Sequence, residues 1–307
     1  MYLIFSAFVL PLLFVWLLIW KKHRSRNLPP GPIVIPLFGT VTLFRYSTPY
    51  LAWIEWAKAC RSDTIRLRTG PLARVACHDI DTVKKLFAKE EATGREKLFS
   101  HPVIAKGKGL IFSERPLWKH HRRFALTTLR NYGMGKTWLD DTILSEVDDL
   151  CKLLVDLDGR PIDPRRLLSH SISNVICALV FGRRFPHDDA RFTKLTSLFD
   201  NILIAQFTYG RLLAFPFLKY IPGSGFHQKN AIIRKNFADV IAFIKELVND
   251  HRCDDKSDEG TDHDYIDAYI TEKAHQRTHQ DGSNMFEDDQ QLVGSLYDLF
   301  FAGTETT

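Results

Sequence analysis

The chain has 307 residues, 45% hydrophobic and 25% charged, with 14 prolines, 17 glycines and no low-complexity bias, which argues against a disordered or fibrous protein. Its formal charge is +5, but Lys21, Lys22, Arg24 and Arg26 carry four of the five, so the rest of the chain lacks the basic face that a nucleic-acid partner needs. Five cysteines, widely spaced and without a C-x-x-C pair, fit neither a disulfide framework nor a structural zinc site. Cys77, closing a strand-like run, and Cys177, in an apolar helical run, read as buried thiols in a reducing compartment. Length alone leaves one or two domains open.

Residues 1 to 20 carry no charge, and only Ser6 and Pro11 fall outside the apolar set. As a helix they span about 30 Å, the thickness of a bilayer core. The missing basic stretch before them and the missing A-x-A-like site after them favour a retained anchor over a cleaved signal peptide. The basic cluster from Lys21 to Arg26 then places the rest of the chain in the cytosol. Leu28-Pro29-Pro30-Gly31-Pro32, with Pro36 and Gly39 behind it, cannot continue a helix and predicts a stiff connector, or simply an ordinary proline linker.

Beyond residue 40, Leu51, Ile54, Ala57 and Lys58 predict a short amphipathic helix. Residues 64 to 68 alternate as a strand, Thr69-Gly70-Pro71 turns, and residues 72 to 77 return as a second strand. Asp79 or Asp81 caps the next helix, which runs to Phe87. From there the pattern is almost entirely helical. Ser113 is predicted to cap a helix over 114 to 130 that Gly133 stops, and further helices fit 137 to 156, 164 to 181, 190 to 208 and 228 to 251. Residues 254 to 264, DDKSDEGTDHD, read as an acidic surface loop and not a metal cage, and His275 with His279 reads as part of a solvated helix. The aromatic stretch 207 to 222 reads as buried core or as an apolar lip resting on a membrane.

The last helix starts near Asp288, shows Leu292, Val293, Leu296 and Phe300 on one face, and runs into Ala302-Gly303-Thr304-Glu305-Thr306-Thr307 without a stop signal, so the pattern reads as cut within a long helix. Small residues in mid-helix let a flat ligand approach the backbone, while a hydroxyl and a carboxylate nearby hold water or relay protons; a polar helix end accounts for the same letters. Trp118 and Arg122 stand four apart on one helix face, which suits an indole N–H and a guanidinium binding one carboxylate, or equally a core tryptophan beside a solvated arginine.

Together the anchor, the PPGPIVIPLFG stretch ending at Gly39, Gly94-Arg95-Glu96, the run WKHHRRFALTTLRNYGMGK from Trp118 to Lys136 and LFFAGTETT from Leu299 to Thr307 resemble the cytochrome P-450 family, specifically its microsomal drug- and lipid-oxidising group. The resemblance implies a mainly α fold with a small β-sheet behind one transmembrane helix, arranged as an anchor (1 to 20), a basic and proline-rich hinge (21 to 39) and a catalytic domain (40 to 307). It implies haem b as cofactor, held at its propionates by Arg95, Trp118 and Arg122, with Ala302 and Gly303 packing over it and Glu305 with Thr306 delivering protons to the bound oxygen. Leu98, Ile111, Phe112, Phe207, Asp298 and Phe301 would line the substrate pocket, Phe301 standing where a small residue is common. The implied partners are an NADPH-dependent flavoprotein reductase, cytochrome b5, an apolar small-molecule substrate and the endoplasmic reticulum membrane, with the basic residues Lys119, Arg123, Arg130 and Lys136 either meeting the electron donor or forming a solvated face.

The family also needs a helical E-x-x-R and a cysteine loop, F-x-x-G-x-x-x-C-x-G, whose thiolate binds the iron, and neither occurs in these 307 residues. The chain therefore reads as the N-terminal part of a haem-thiolate monooxygenase, inactive by itself. The rival reading is a membrane-anchored binding or interaction module without catalysis.

Overall fold

A computed structural model describes residues 11–12, 14–16, 28–35, 39–40, 48–69, 72–95, 107–135, 137–214, 220–221, 223, 225–253, 264–278 and 285–305. Most of the expected anchor lies outside these residues; Pro11, Leu12 and residues 14–16 are helical, with Leu12 and Phe14 exposed. Among the described residues no helix is long and apolar enough to cross a membrane. The chain divides into two compact units, the first made of Met1–Thr93 with Ala214–Phe217 and the second of Gly94–Leu213 with Leu218–Thr307.

The first unit contains helix α1 (Pro49–Cys60), strands β1 (Thr64–Thr69) and β2 (Leu72–Cys77), and helix α2 (Ile80–Phe87). The strands pair antiparallel, Thr64 opposite Cys77 through Thr69 opposite Leu72. Alternation buries Ile65 and Leu67 on one face, as the period of two requires. The proline-rich connector lies along the outer edge of β1: the Arg66 N–H donates to Pro30 O at 2.9 Å, and the Thr40 N–H to Arg68 O at 2.7 Å. Prolines suit such an edge because they have no N–H to leave unpaired. Asp79 caps α2, accepting the Thr82 N–H at 2.8 Å, which holds its carboxyl below the usual range. Cys77, expected in the core, is only half-buried, because it ends its strand where the alternation gives way to the loop.

The second unit is helical: α3 (Leu117–Asn131), α4 (Thr137–Val155), α5 (Arg165–Phe181), α6 (Ala190–Ala214), α7 (Phe226–Cys253), α8 (Tyr265–Thr278) and α9 (Asp289–Glu305). Helix α6 runs six residues past its predicted end at 208, and α7 exceeds its predicted bounds by two residues at each end, the usual uncertainty of helix termini read from sequence. Helix α9 is the centre of the packing, lying against α5 and α7, while α5 also meets α4 and α8. Its residues Gln291 to Asp298 are buried without interruption. Around it Phe192, Phe199, Tyr297 and Phe300 interlock, with Phe199 and Phe300 ring centres 4.9 Å apart. A second aromatic group joins α3 to α8: Phe124 meets Tyr265, Tyr269 and Phe286 edge-on, and His121 sits 4.5 Å from Phe286. Cys177 is fully buried as expected, and that burial pushes its thiol up.

Two local expectations change. Ser113 does not cap α3: its hydroxyl is buried and donates to Gly109 O at 2.5 Å, and the helix begins at Leu117. Asp264, placed in a surface loop, is 1% exposed. It caps α8 through the N–H groups of Ile266 and Asp267, and its other oxygen lies 2.7 Å from His251 Nε2. The His251 ring also has Nδ1 3.0 Å from Leu247 O, so both ring nitrogens face oxygen acceptors. His251, Asp264 and Asp267 are close enough to share an ion, but capping and the imidazole pairing already engage both Asp264 oxygens.

His170 of α5 stacks on His187 with ring centres 4.2 Å apart and meets Phe192 edge-on. Burial first, and the neighbouring His187 second, push its pKa down to about 4. In the unfolded chain it titrates near the ordinary value of about 6.5. Between those values the unfolded state holds the extra proton, so stability falls as pH drops from 6.5 towards 4. His170→Phe, which keeps the ring contacts, is expected to flatten that limb by about 2 to 3 kcal/mol. Urea melts of parent and variant at pH 7.5 and 4.5 check this, and equal acid slopes would remove His170 as the cause.

Candidate functional site

The candidate site is built on α3, α9 and the segment from Gly107 to Ser113. On α3, Trp118 and Arg122 are one turn apart, and the guanidinium carbon of Arg122 stands 5.5 Å over the indole ring. Arg115 approaches the same ring at 6.0 Å. Trp118 is half-buried while Arg122 and Arg123 are exposed. The stacking fixes the planar fork of Arg122 and leaves its N–H edges to other acceptors. Arg95 is exposed and donates from Nε to Ile111 O at 3.0 Å, which ties it to the same segment.

That segment is bolted to α9. The Asp298 carboxylate accepts the N–H groups of Leu110 at 2.6 Å and Ile111 at 2.8 Å. Burial raises Asp298 to a pKa of about 7, against the pull of those two N–H donors. Its Oδ2 is therefore committed to holding the backbone of Leu110 and Ile111. Ile111 and Phe112 are half-buried, Phe112 packing against the core. Phe301, one turn after Asp298, stacks on Tyr297 with ring centres 5.9 Å apart and planes 7° apart, so its ring belongs to the aromatic stack of α9.

Near the end of α9 the small residues part company. Ala302, one turn after Asp298 on the same face, is exposed. Gly303 faces α5: a Cβ there would lie 2.6 Å from Cδ1 and Cγ1 of Ile176. The close approach that Gly303 allows is thus helix to helix, and a hydrogen bond of 3.0 Å between Ser173 and Thr304 seals it. Glu305 is the last described residue of the helix. Thr306 and Leu98 lie outside the described residues, as do the side chains of Glu305 and of Phe207, which sits within α6.

Arg95, Ile111 and Asp298 are therefore linked by direct hydrogen bonds, and Trp118 with Arg122 forms a separate stacked pair. Sequence reasoning missed Gln291, Gly109 and Ile176. The available signal was Gln291 and Asp298 seven apart on one face of a helix whose intervening residues are mostly apolar, since buried polar side chains need partners.

Residues 29–307 match the family profile described as Cytochrome P450, and the chain belongs to that family. Curated relatives agree. It is 33% identical over 304 residues to cytochrome P450 2J3 of Rattus norvegicus, covering 96% of this chain and 58% of that protein. It is 34% identical over 291 residues to cytochrome P450 2F5 of Gorilla gorilla gorilla, covering 93% and 57%. To cytochrome P450 2B2 of Rattus norvegicus it is 32% identical over 299 residues, covering 95% and 59%. The chain thus spans somewhat more than half the length of these relatives.

The donor set fits the haem that the family implies. An indole N–H and the guanidiniums of Arg95 and Arg122 are all groups able to donate to carboxylates such as the haem propionates, and Ala302 is a small, exposed residue on α9.

Gly303→Ala is expected to cost about 1 to 3 kcal/mol through overpacking against Ile176. Ile176→Ala in the same chain should return at least about 1 kcal/mol of that loss as a coupling energy. Chemical denaturation of the single and double variants measures it, and strictly additive effects would contradict the contact.

Proposed function

We propose that the full-length protein is a haem-dependent monooxygenase that inserts one oxygen atom from O2 into an apolar small molecule of xenobiotic, fatty-acid or steroid type. Membership of the family supports the reaction class. The observation that carries the reading to particular residues is the Arg122 guanidinium stacked on Trp118, which holds a cation and an indole N–H together on one face of α3. When bound, a haem supplies oxygen activation and electron storage, which no side chain here supplies.

In this reading Trp118, Arg122 and Arg95 bind and orient the two propionates, and Ala302 with the backbone at Gly303 leaves room for the ring. Glu305 and Thr306 hold and pass protons. Leu98, Ile111, Phe112, Phe207 and Phe301 contribute the apolar wall that excludes water, while Asp298 supports it through the N–H groups of Leu110 and Ile111. Electrons come from NADPH through a flavoprotein reductase, with cytochrome b5 as a second donor. The exposed cations Lys119, Arg123 and Arg130 on α3 suit an acidic partner. The uncharged stretch 1 to 20 and the basic cluster after it support an anchor in the endoplasmic reticulum membrane with the remainder in the cytosol.

Two measurements on the full-length protein test this. Arg122→Ala should lower haem content per mole several-fold more than Arg123→Ala, because only Arg122 is stacked on Trp118. Equal losses would remove the assignment, and a parent protein that retains no haem would sink the whole reading. Thr306→Ala should keep haem and substrate binding yet divert reducing equivalents into hydrogen peroxide, while Thr307→Ala, one residue further along the sequence, stays close to the parent. The ratio of product formed to NADPH consumed reports this, and a well-coupled Thr306→Ala would reduce Thr306 to packing.

A further inference from the structure

Gln291 is 0% exposed and spends its whole side-chain amide on one residue. Its Oε1 accepts the Gly109 N–H at 3.0 Å and its Nε2 donates to Gly109 O at 3.0 Å. The amide therefore pairs with the loop backbone as a neighbouring strand would. Gly109 adopts φ +90, and a Cβ there would strike Asp298 Oδ2 and stand 2.8 Å from Gly294 O, so the loop backbone rests directly on the backbone of α9. No side chain fits between them at this crossing. Seven residues further along the helix, Asp298 takes the N–H groups of Leu110 and Ile111. On the flank, Lys108 meets Asp288 at 3.0 Å.

We propose that Gln291 is a positioning residue that sets the height of the segment 107 to 113 over α9, and through it the size of apolar ligand the site accepts; this rests on the reading of Ile111 and Phe112 as pocket wall. The physical case is the difference between the two attachment points. The Asp298 carboxyl, raised to about 7, changes charge near neutral pH, whereas the Gln291 amide has no charge to change and makes the same two bonds at every pH. Asp298 holds only N–H groups, and Gln291 holds both polar groups of one residue, which fixes rotation as well as distance. Displacing a wall by a fraction of an ångström is enough to alter which ligand fits.

The test uses the full-length protein with Gln291→Leu, which fits an apolar helix interior and leaves the Gly109 N–H without its acceptor, and Gln291→Glu, which keeps an acceptor for that N–H. Amide hydrogen exchange is read at Gly109, Leu110 and Ile111. Dissociation constants are measured for two apolar probes of different size, ethylbenzene and naphthalene. Gln291→Leu should speed exchange at Gly109 about tenfold while Leu110 and Ile111 keep their protection, and should shift the ratio of the two dissociation constants by at least about threefold. Gln291→Glu should restore both readouts to within about threefold of the parent. Unchanged Gly109 exchange in Gln291→Leu overturns the attachment. Faster exchange with an unmoved ratio overturns the positioning role alone, since the parent still binds both probes. A parent that binds neither probe overturns the pocket reading itself, and the proposal with it.

Discussion

A helix buried on every side has nowhere to send a polar side chain except into another part of the protein, and α9 is such a helix from Gln291 to Asp298. Its apolar residues Leu292, Val293, Leu296 and Phe300 are absorbed by α5, α6 and α7. Gln291 and Asp298 cannot be absorbed that way. They are satisfied by the backbone N–H and C=O groups of Gly109, Leu110 and Ile111, which in turn need partners because a loop pressed on a helix is cut off from water. Each side completes the other. The segment from Gly109 to Ile111 is therefore positioned by the same helix that carries Ala302 and Glu305.

The close contact between α9 and α5 follows a different rule. Gly303 and Ile176 meet where any larger residue than glycine would clash, and the hydroxyls of Ser173 and Thr304 meet beside them. A small residue in mid-helix allows two kinds of approach, a flat ligand or a neighbouring helix, and the letters alone do not choose. Here the missing Cβ of Gly303 is what lets Ile176 approach, while the neighbouring Ala302 is exposed. A rotation of about 100° between successive residues is enough to separate them.

Charge is distributed to match. On α3 the exposed cations stay near water, while His121 on the same helix is buried among Phe124, Tyr269 and Phe286, and burial pushes its pKa down. The run from Lys119 to Arg123 is thus exposed except for one buried histidine. The stacking of Arg122 on Trp118 belongs to the exposed side of that division, where a guanidinium keeps its charge and its plane is held by an aromatic face.

Periodicity in the sequence was enough for the hairpin from Thr64 to Cys77, for the helical character of the described elements from Leu117 on, and for the stripe of α9, because spacing of two or of 3.6 residues is a local property. Motif order was enough for the family, and it singled out Trp118 with Arg122. Four things were decided only by tertiary structure. Ser113 turned from a helix cap into a donor to Gly109, Asp264 moved from surface loop to buried cap, Gly303 met Ile176, and Gln291 reached across 182 residues of chain to Gly109. In each case a polar or small residue had several local uses of similar energy. Which one it took depended on what another segment, distant in sequence, brought within about 3 Å of it.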